Sequence, residues 1–457
     1  MPGLFDSLTM AARSLQSQQF AMNVTGQNIS NVNTPGYTRR VVDFAAVPPP
    51  SGGGVEIEDV RRVRDSLLDG RLLQQIPLGS YDTAVADSLS VVETNLGKVG
   101  ESLDQQLDAF FNAFADLAEN PTSAVARRQV QVTSQSLATS FNETAGQLES
   151  SRREADARIR ATVDQVNTLS TRIAQINVAL PAAQSNGTGQ TLEDQQEELV
   201  RQLSALADVH VIARQEGGVD VTLGSGRPLV IAANAYTLDT TTGANGYANL
   251  ASGGVDVTSE VTGGTLGGLL YVRESAIPSY LASLDRLAAQ TATSVNALHS
   301  TGFDLNGAAG GVFFSYSTPP VGTSGAAKAL RVDPAIAGDG SRIAAASVAE
   351  TGDNGTARAI AALRQQRVLD GNTATLVDGW ANIVYEVGTD SQGAATARDT
   401  HEAITREVAA LRDQVSGVSL DEEALNLLKF QRAYEANAKY FTAVDSMLGT
   451  LMNAYRV

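Results

Sequence analysis

Three histidines, His210, His299 and His401, are the side chains best suited to acid–base work or metal binding near neutral pH. They are scattered, and no H-x-x-x-H or H-E-x-x-H spacing places two of them on one helical face. Structural or surface roles are the better reading. A second candidate is "LGSGRP", beginning at Leu223, which superficially resembles a phosphate loop. It lacks the Lys-Ser/Thr pair and opens no helix, so a hairpin turn is expected there. A third is "LDEE" at Leu420, where three carboxylates cluster and a glycosidase-type pair could be imagined. The first turn of a helix favours acids through its dipole, which explains the cluster without catalysis. The last is "NISNVNTPGYTRR", Asn28 to Arg40, which could be a catalytic loop, a phosphate cradle or a place where a helix ends and turns. Asn28, Asn31 and Asn33 can bond nearby backbone groups as a helix ends, and Pro35-Gly36 redirects the chain. Tyr37 offers a flat apolar body with a polar tip for a wet interface. The expectation is a turn with no catalytic, cofactor or metal-ligating residue.

Composition narrows the field. The chain has 457 residues, enough for more than one domain, and a net charge of −17, which argues against a surface for nucleic acid or anionic lipid. With no cysteine there are no disulfides, thiolate metal sites or thiol nucleophiles. No apolar run reaches the ~20 residues of a membrane span, and "MPGLFDSLTMAARSLQ" lacks the parts of a cleaved signal peptide. Export, if it occurs, is expected by another route.

Periodicity places the elements. Leu4, Leu8, Ala11, Leu15, Gln18, Met22, Thr25 and Ile29 form a single-faced helical stripe near the N-terminus. Leu420, Ala424, Leu427, Gln431, Tyr434, Ala438, Phe441, Leu448, Met452 and Tyr455, with Leu451 beside them, form another at the far end, and Ser419 with Glu422 offers a capping box. Two such stripes invite pairing as antiparallel helices, with Gln18 and Gln431 setting register. Between them, Leu89, Val92, Leu96, Val99, Leu103, Leu107, Phe110, Phe114 and Leu117 make a heptad-like seam, weakened by Gly97 and Gly100 and broken by "ENPTS". A second tract runs from Ala124 to Leu180, where Pro181 and "SNGTG" are expected to end it, with Thr191 capping a shorter helix. Short strands are expected at "HVIA", "VDVTL", "PLVIA", "YTL" and "VDVT" between residues 210 and 258.

The fold class expected is mainly α with a smaller β module, a nested multidomain α+β chain whose terminal helices pair as a coiled coil. The expected units are 1–40 with 418–457 (terminal pair), 41–79 (extended or β linker), 80–207 with 269–302 and 355–417 (helix bundle), 208–268 (β domain) and 303–354 (loop-rich).

The two ends carry a resemblance. "QNISNVNTPGYTRR" resembles the N-terminal signature of bacterial flagellar rod, hook and hook-associated proteins, and "SGVSLDEEALNLLKFQRAYEANAKYFTAVDSMLGTLMNAYRV" resembles their C-terminal one. "SGVSLDEEALNLLKF", the arginines after "PGYT", and internal stretches such as "LLYVRESAIPSYLASLDRLAAQTATSVNALHSTGFDLNGAAGG" are most similar to the hook-associated protein 1 family. The motif carries onto Asn28, Asn31, Pro35, Gly36 and Tyr37, and onto Leu420, Asp421, Glu422, Glu423, Gln431, Ala433, Tyr434 and Ala436. The resemblance implies a non-enzymatic subunit of the junction between hook and filament, exported by the flagellar type III apparatus and lying outside the cell. It implies as partners further copies of the chain in a ring, hook protein, a second junction protein and a cytoplasmic export chaperone on the C-terminal helix. Neither nucleic acid nor membrane insertion is expected. A hook or distal rod subunit shares both signatures but has a predominantly β middle. A flagellum-borne peptidoglycan hydrolase requires a catalytic pair that the sequence does not display.

Overall fold

In a computed structural model of the protein, residues 3–34, 36–48, 53–96, 102–185, 188–350 and 352–454 are described. Pro35, Gly97, Val99, Gly100 and Tyr455, singled out above, lie outside them. In chain order, α1 (Leu4–Ser30) leads into the hairpin β1 (Arg40–Ala46) and β2 (Val55–Arg62). Four helices follow: α2 (Ser66–Leu96), α3 (Leu103–Glu119), α4 (Ala124–Ser185) and α5 (Gly189–Leu206). The β module contains β3 (Val209–Ala213), β4 (Val219–Leu223), β5 (Pro228–Ile231), β6 (Asn234–Ala235), β7 (Leu238–Thr242), β8 (Ala248–Ser252) and β9 (Val255–Asp256). Then come α6 (Gly264–Tyr271), α7 (Ile277–Thr301), β10 (Phe314–Tyr316), α8 (Ala326–Ala329), β11 (Leu330–Val332), α9 (Pro334–Gly338) and α10 (Gly355–Ala362). Two long helices, α11 (Leu376–Ser416) and α12 (Leu420–Ala454), close the chain.

Helix α4, 62 residues and about 93 Å long at 1.5 Å per residue, is the spine. Its first half joins α2, α3, α7, α10 and α11 in one core, where Phe110, Phe111, Phe114, Phe313 and Phe314 stack edge to face with Trp380 nearby. Its second half, from Ile159, packs with α5, α6 and the β module in another. The module is two antiparallel meanders, β3-β4-β5-β6 and β7-β8-β9. "LGSGRP" is the turn between β4 and β5, with Gly226 at φ +87°.

Several boundaries differ from the expectation. Residues 66–79, read as linker, are helical, because the Leu73 carbonyl left free by Pro77 accepts the Ser204 hydroxyl at 3.2 Å. Helix α4 runs through Pro181 to Ser185, and the Thr188 N–H caps the Ala183 carbonyl at 2.9 Å. Thr188 rather than Thr191 precedes α5. Tyr236 sits between strands, β9 is only two residues long, and β8, built from the small and polar "ANLAS", escaped notice. Helix α6 begins at Gly264, inside the span read as β domain.

The terminal helices pair. Asn28, at the end of α1, touches Glu423 in the first turn of α12, while Ala21 and Val24 share a cluster with Phe430, so the two run antiparallel. The hairpin lies across them through Val42, Phe44, Ile57 and Val60, with the Phe44 and Phe430 rings 6.1 Å apart.

Candidate functional site

Asn28 is the centre of the turn. It ends α1 facing inward and is buried, so its amide must find every partner inside the protein. Its Oδ1 accepts the Tyr37 hydroxyl at 2.8 Å and the Arg40 N–H at 3.0 Å. Its Nδ2 donates to the Arg40 carbonyl at 2.8 Å and to Glu423 Oε2 at 2.9 Å. One side chain thus closes the loop from α1 to β1 and fastens it to α12. Asn31 folds locally instead, donating to the Gln27 carbonyl at 2.9 Å and accepting Thr34 Oγ1 at 3.1 Å. Gly36 has φ +80°, and a Cβ there would lie 2.8 Å from Arg201 Nη2. Glycine meets both demands.

Two of the three "LDEE" acids serve this clasp. Glu423, 2% exposed, takes the Arg39 Nε at 2.8 Å, and Glu422 takes Arg39 Nη1 at 2.9 Å. Ser419 Oγ accepts the Glu422 N–H at 3.5 Å, while the Glu422 carboxylate goes to Arg39. Burial pushes the Tyr37 phenol up despite Arg40, whose guanidinium lies 5.1 Å from the ring centroid.

A second set of charges joins the hairpin to α5. Arg40 reaches Asp194 at 3.1 Å and Thr191 Oγ1 at 3.0 Å. Arg62 reaches Glu193, Asp194 and Glu197 at 2.9, 2.9 and 2.8 Å, and Arg64 reaches Glu197 at 2.7 Å. Burial alone would lower the Arg62 guanidinium, but Glu197, Asp194 and Glu193 outweigh it and hold it above its ordinary value. Arg62, Arg64, Glu193, Asp194 and Glu197 escaped sequence reading. Their signal was present: "RRVR" ends a strand, and three acids at spacings of one and three share a face of α5.

The seam residues divide. Leu4, Leu8, Leu15, Met22 and Ile29 are only half-buried, as are Leu427, Phe441 and Leu448. Leu420, Gln431, Tyr434 and Leu451 are exposed, so they do not form the seam within the single chain, and Gln431 sets no register there. The covered positions are Ala11, Ser14, Ser17, Ala21, Val24, Thr25 and Asn28 on α1, and Glu423 and Val444 on α12. The reason is steric. Small residues let the hairpin backbone approach α1, where Ser17 Oγ bonds the Val55 carbonyl at 3.1 Å and Gly54 lies against Met10 and Ser14. The bulky members of the stripes are left half-buried or exposed.

The histidines stay apart. His210 is exposed on β3, and His401 on α11 contacts Asp82 on α2 at 2.5 Å. His299 is fully buried, with Nδ1–H donating to the Gly311 carbonyl at 2.7 Å and Nε2 accepting the Ala344 N–H at 2.9 Å. Burial holds that imidazole below its ordinary range, neutral at pH 7. Among the described residues no group of His, Asp and Glu is placed to hold a metal ion.

The family model for the flagellar hook-associated protein FlgK helical domain matches residues 89–314, from α2 through β10. "Flagellar hook-associated protein 1" of Bacillus subtilis (strain 168) is 29% identical, over 100% of this chain and 99% of its own. Along its whole length the chain is similar to the flagellar hook-associated protein 1 family. The relative of the same name from Escherichia coli (strain K12) is 24% identical over 97% of this chain and 98% of its own. Two shorter models complete the pattern: flagella basal body rod protein at residues 8–38 and the flagellar basal body rod FlgEFG protein C-terminal region at 413–454. They fall on α1 with its turn and on α12, the two elements that the clasp holds together. The flagellar hook junction protein FlgK from Burkholderia pseudomallei has the same fold, with a TM-score of 0.69 at 17% identity, over 76% of this chain and 100% of that one. Membership in this rod and hook group implies assembly with other flagellar axial components.

Proposed function

We propose that the protein is a structural subunit of the bacterial flagellum, outside the cell at the junction of hook and filament, and that it polymerises through its terminal helices. The observation that carries the mode of assembly is the exposed apolar surface of the helix pair. Phe5 and Phe20 on α1, and Leu420, Leu425, Leu428, Tyr434, Met447, Leu451 and Met452 on α12, are exposed together. That much exposed apolar surface on an antiparallel pair suits burial against neighbouring subunits. Copies of the chain in a ring cover it laterally, hook protein contacts it on one side and a second junction protein on the other. Before export through the type III apparatus, a cytoplasmic chaperone shields the α12 stripe. This reading assigns no catalytic task, and Glu422 and Glu423 of LDEE are engaged in the clasp. None of its described helices is long and apolar enough to cross a membrane, and its charge disfavours nucleic acid. The long helices between residues 66 and 206 weigh against a hook or distal rod subunit. Gold-labelled antibody on native flagella tests the reading: a single band at the hook–filament boundary is expected, and label along the hook or rod would overturn it.

A further inference from the structure

The terminal unit, α1 with β1, β2 and α12, is joined to the body by two chain crossings, residues 63–65 and 417–419. The peptide units of Arg39 tie both. Its N–H donates to the Ser416 carbonyl at 3.0 Å, and its carbonyl accepts the Val63 N–H at 2.8 Å. Among the described residues, no buried apolar cluster spans the joint. The cluster of Ala21, Val24 and Val42 with Phe430 is separate from both body cores. Charge spans it instead, through Arg40, Arg62 and Arg64 against Glu193, Asp194 and Glu197. An open cleft flanks this ridge on each side. One, about 890 Å³, lies between β2, the start of α2, α5 and the β module. The other, about 900 Å³, lies between the Thr34–Tyr37 turn, α4 and α5.

We propose that the terminal unit rocks on the body about Arg39, with the Arg40/Arg62/Arg64 contacts to α5 as its latch. An interface without a shared apolar core resists opening weakly, because released ions regain water for what they lose in pairing. Two short adjacent crossings fix the axis while the flanking clefts leave room for movement on either side. The two crossings and their ties to Arg39 survive release of the latch, so the unit reorients without unfolding.

The absence of native cysteine allows unique spin labels at Gln16→Cys on α1 and Gln165→Cys on α4, both exposed positions. Pulsed electron resonance on the full chain then reads the distance between unit and body. The latched protein gives one narrow distribution. Arg62→Gln, and separately the more exposed Glu197→Gln, add a second population at a different distance while helical content is retained. Arg227→Gln, which breaks an ion pair inside the β module, leaves the distribution unchanged. Distributions in both latch variants that superimpose on the parent, or a parent that is itself broad, would overturn the proposal. Should Arg62→Gln lose helical signal, the Glu197→Gln result decides.

Discussion

Asn28 and Glu423 stand 395 positions apart in sequence and share a buried hydrogen bond of 2.9 Å. With the Arg39 ion pairs to Glu422 and Glu423, that bond fastens the two ends of the chain together. Asn28→Ala removes it together with three others and leaves the Arg40 peptide and the Tyr37 hydroxyl short of partners. The expected cost is about 2–4 kcal/mol, confined to the terminal unit. Hydrogen exchange should show faster exchange in α1 and α12 with α4 and α7 unchanged. Equal protection of the two ends in variant and parent would contradict this role.

Gly36→Val and Gly217→Val test the turn against the β module. Both glycines have positive φ, +80° and +86°, so both variants carry backbone strain of about 1–2 kcal/mol. At Gly217 the new Cβ meets the flexible end of Gln184 at 3.1 Å, whereas at Gly36 it meets Arg201 beneath the clasp at 2.8 Å. Similar losses in thermal stability are expected, but only Gly36→Val should abolish motility and filament attachment. Motility lost equally in both would sink the distinction.

His299 sets an acid dependence for the body. Its folded pKa lies below the unfolded value of 6.5 because burial disfavours the charged ring. The unfolded chain therefore takes up a proton first as pH falls below about 6.5, and stability declines from there, at most ~1.4 kcal/mol per pH unit. Urea midpoints between pH 7 and 5 should fall more steeply in the parent than in His299→Gln, after allowing for the variant's lower starting stability. Parallel curves would assign the acid sensitivity to other groups.

The terminal unit should also be the first to yield in the free subunit. Its buried apolar cluster has three members, Ala21, Val24 and Val42, against an extended core in the body. Brief protease treatment of isolated protein is expected to trim residues within 1–40 and 418–457 before the body, and assembled flagella should protect them. Simultaneous cleavage throughout the free chain would contradict the ranking.

The turn was legible because asparagine and glycine have local jobs at a helix end, and Asn28 and Gly36 perform them in the structure, whereas Tyr37, read as an interface residue, bonds Asn28 within the chain. Pairing of α1 with α12 was legible from two stripes of matching period. Which side of each helix is covered was not. The bulky members of the two stripes are only half-buried or exposed in one subunit, whereas Ser14, Ser17 and Ala21, which are covered, signal weakly because they are small. Pro181 read as a breaker and residues 66–79, around Pro77, as linker, since a distant hydroxyl such as Ser204 that rescues a freed carbonyl leaves no local trace. The Arg62–Asp194 contact, 132 positions apart, has the same character. Charges on a strand end and on a helix face look like solvated surface until the fold sets them opposite one another.

The central claim is that the outward face of the terminal helix pair is the assembly surface. Single cysteines at Phe20, Leu425 and Met447, all exposed on that pair, can be tested by oxidation of intact flagella and of free subunits at the same concentration. The account predicts disulfide-linked dimers from pairs of these variants in flagella and none in free subunits. Normal junctions in which no pair crosslinks, while cysteines on the β module do, would contradict it.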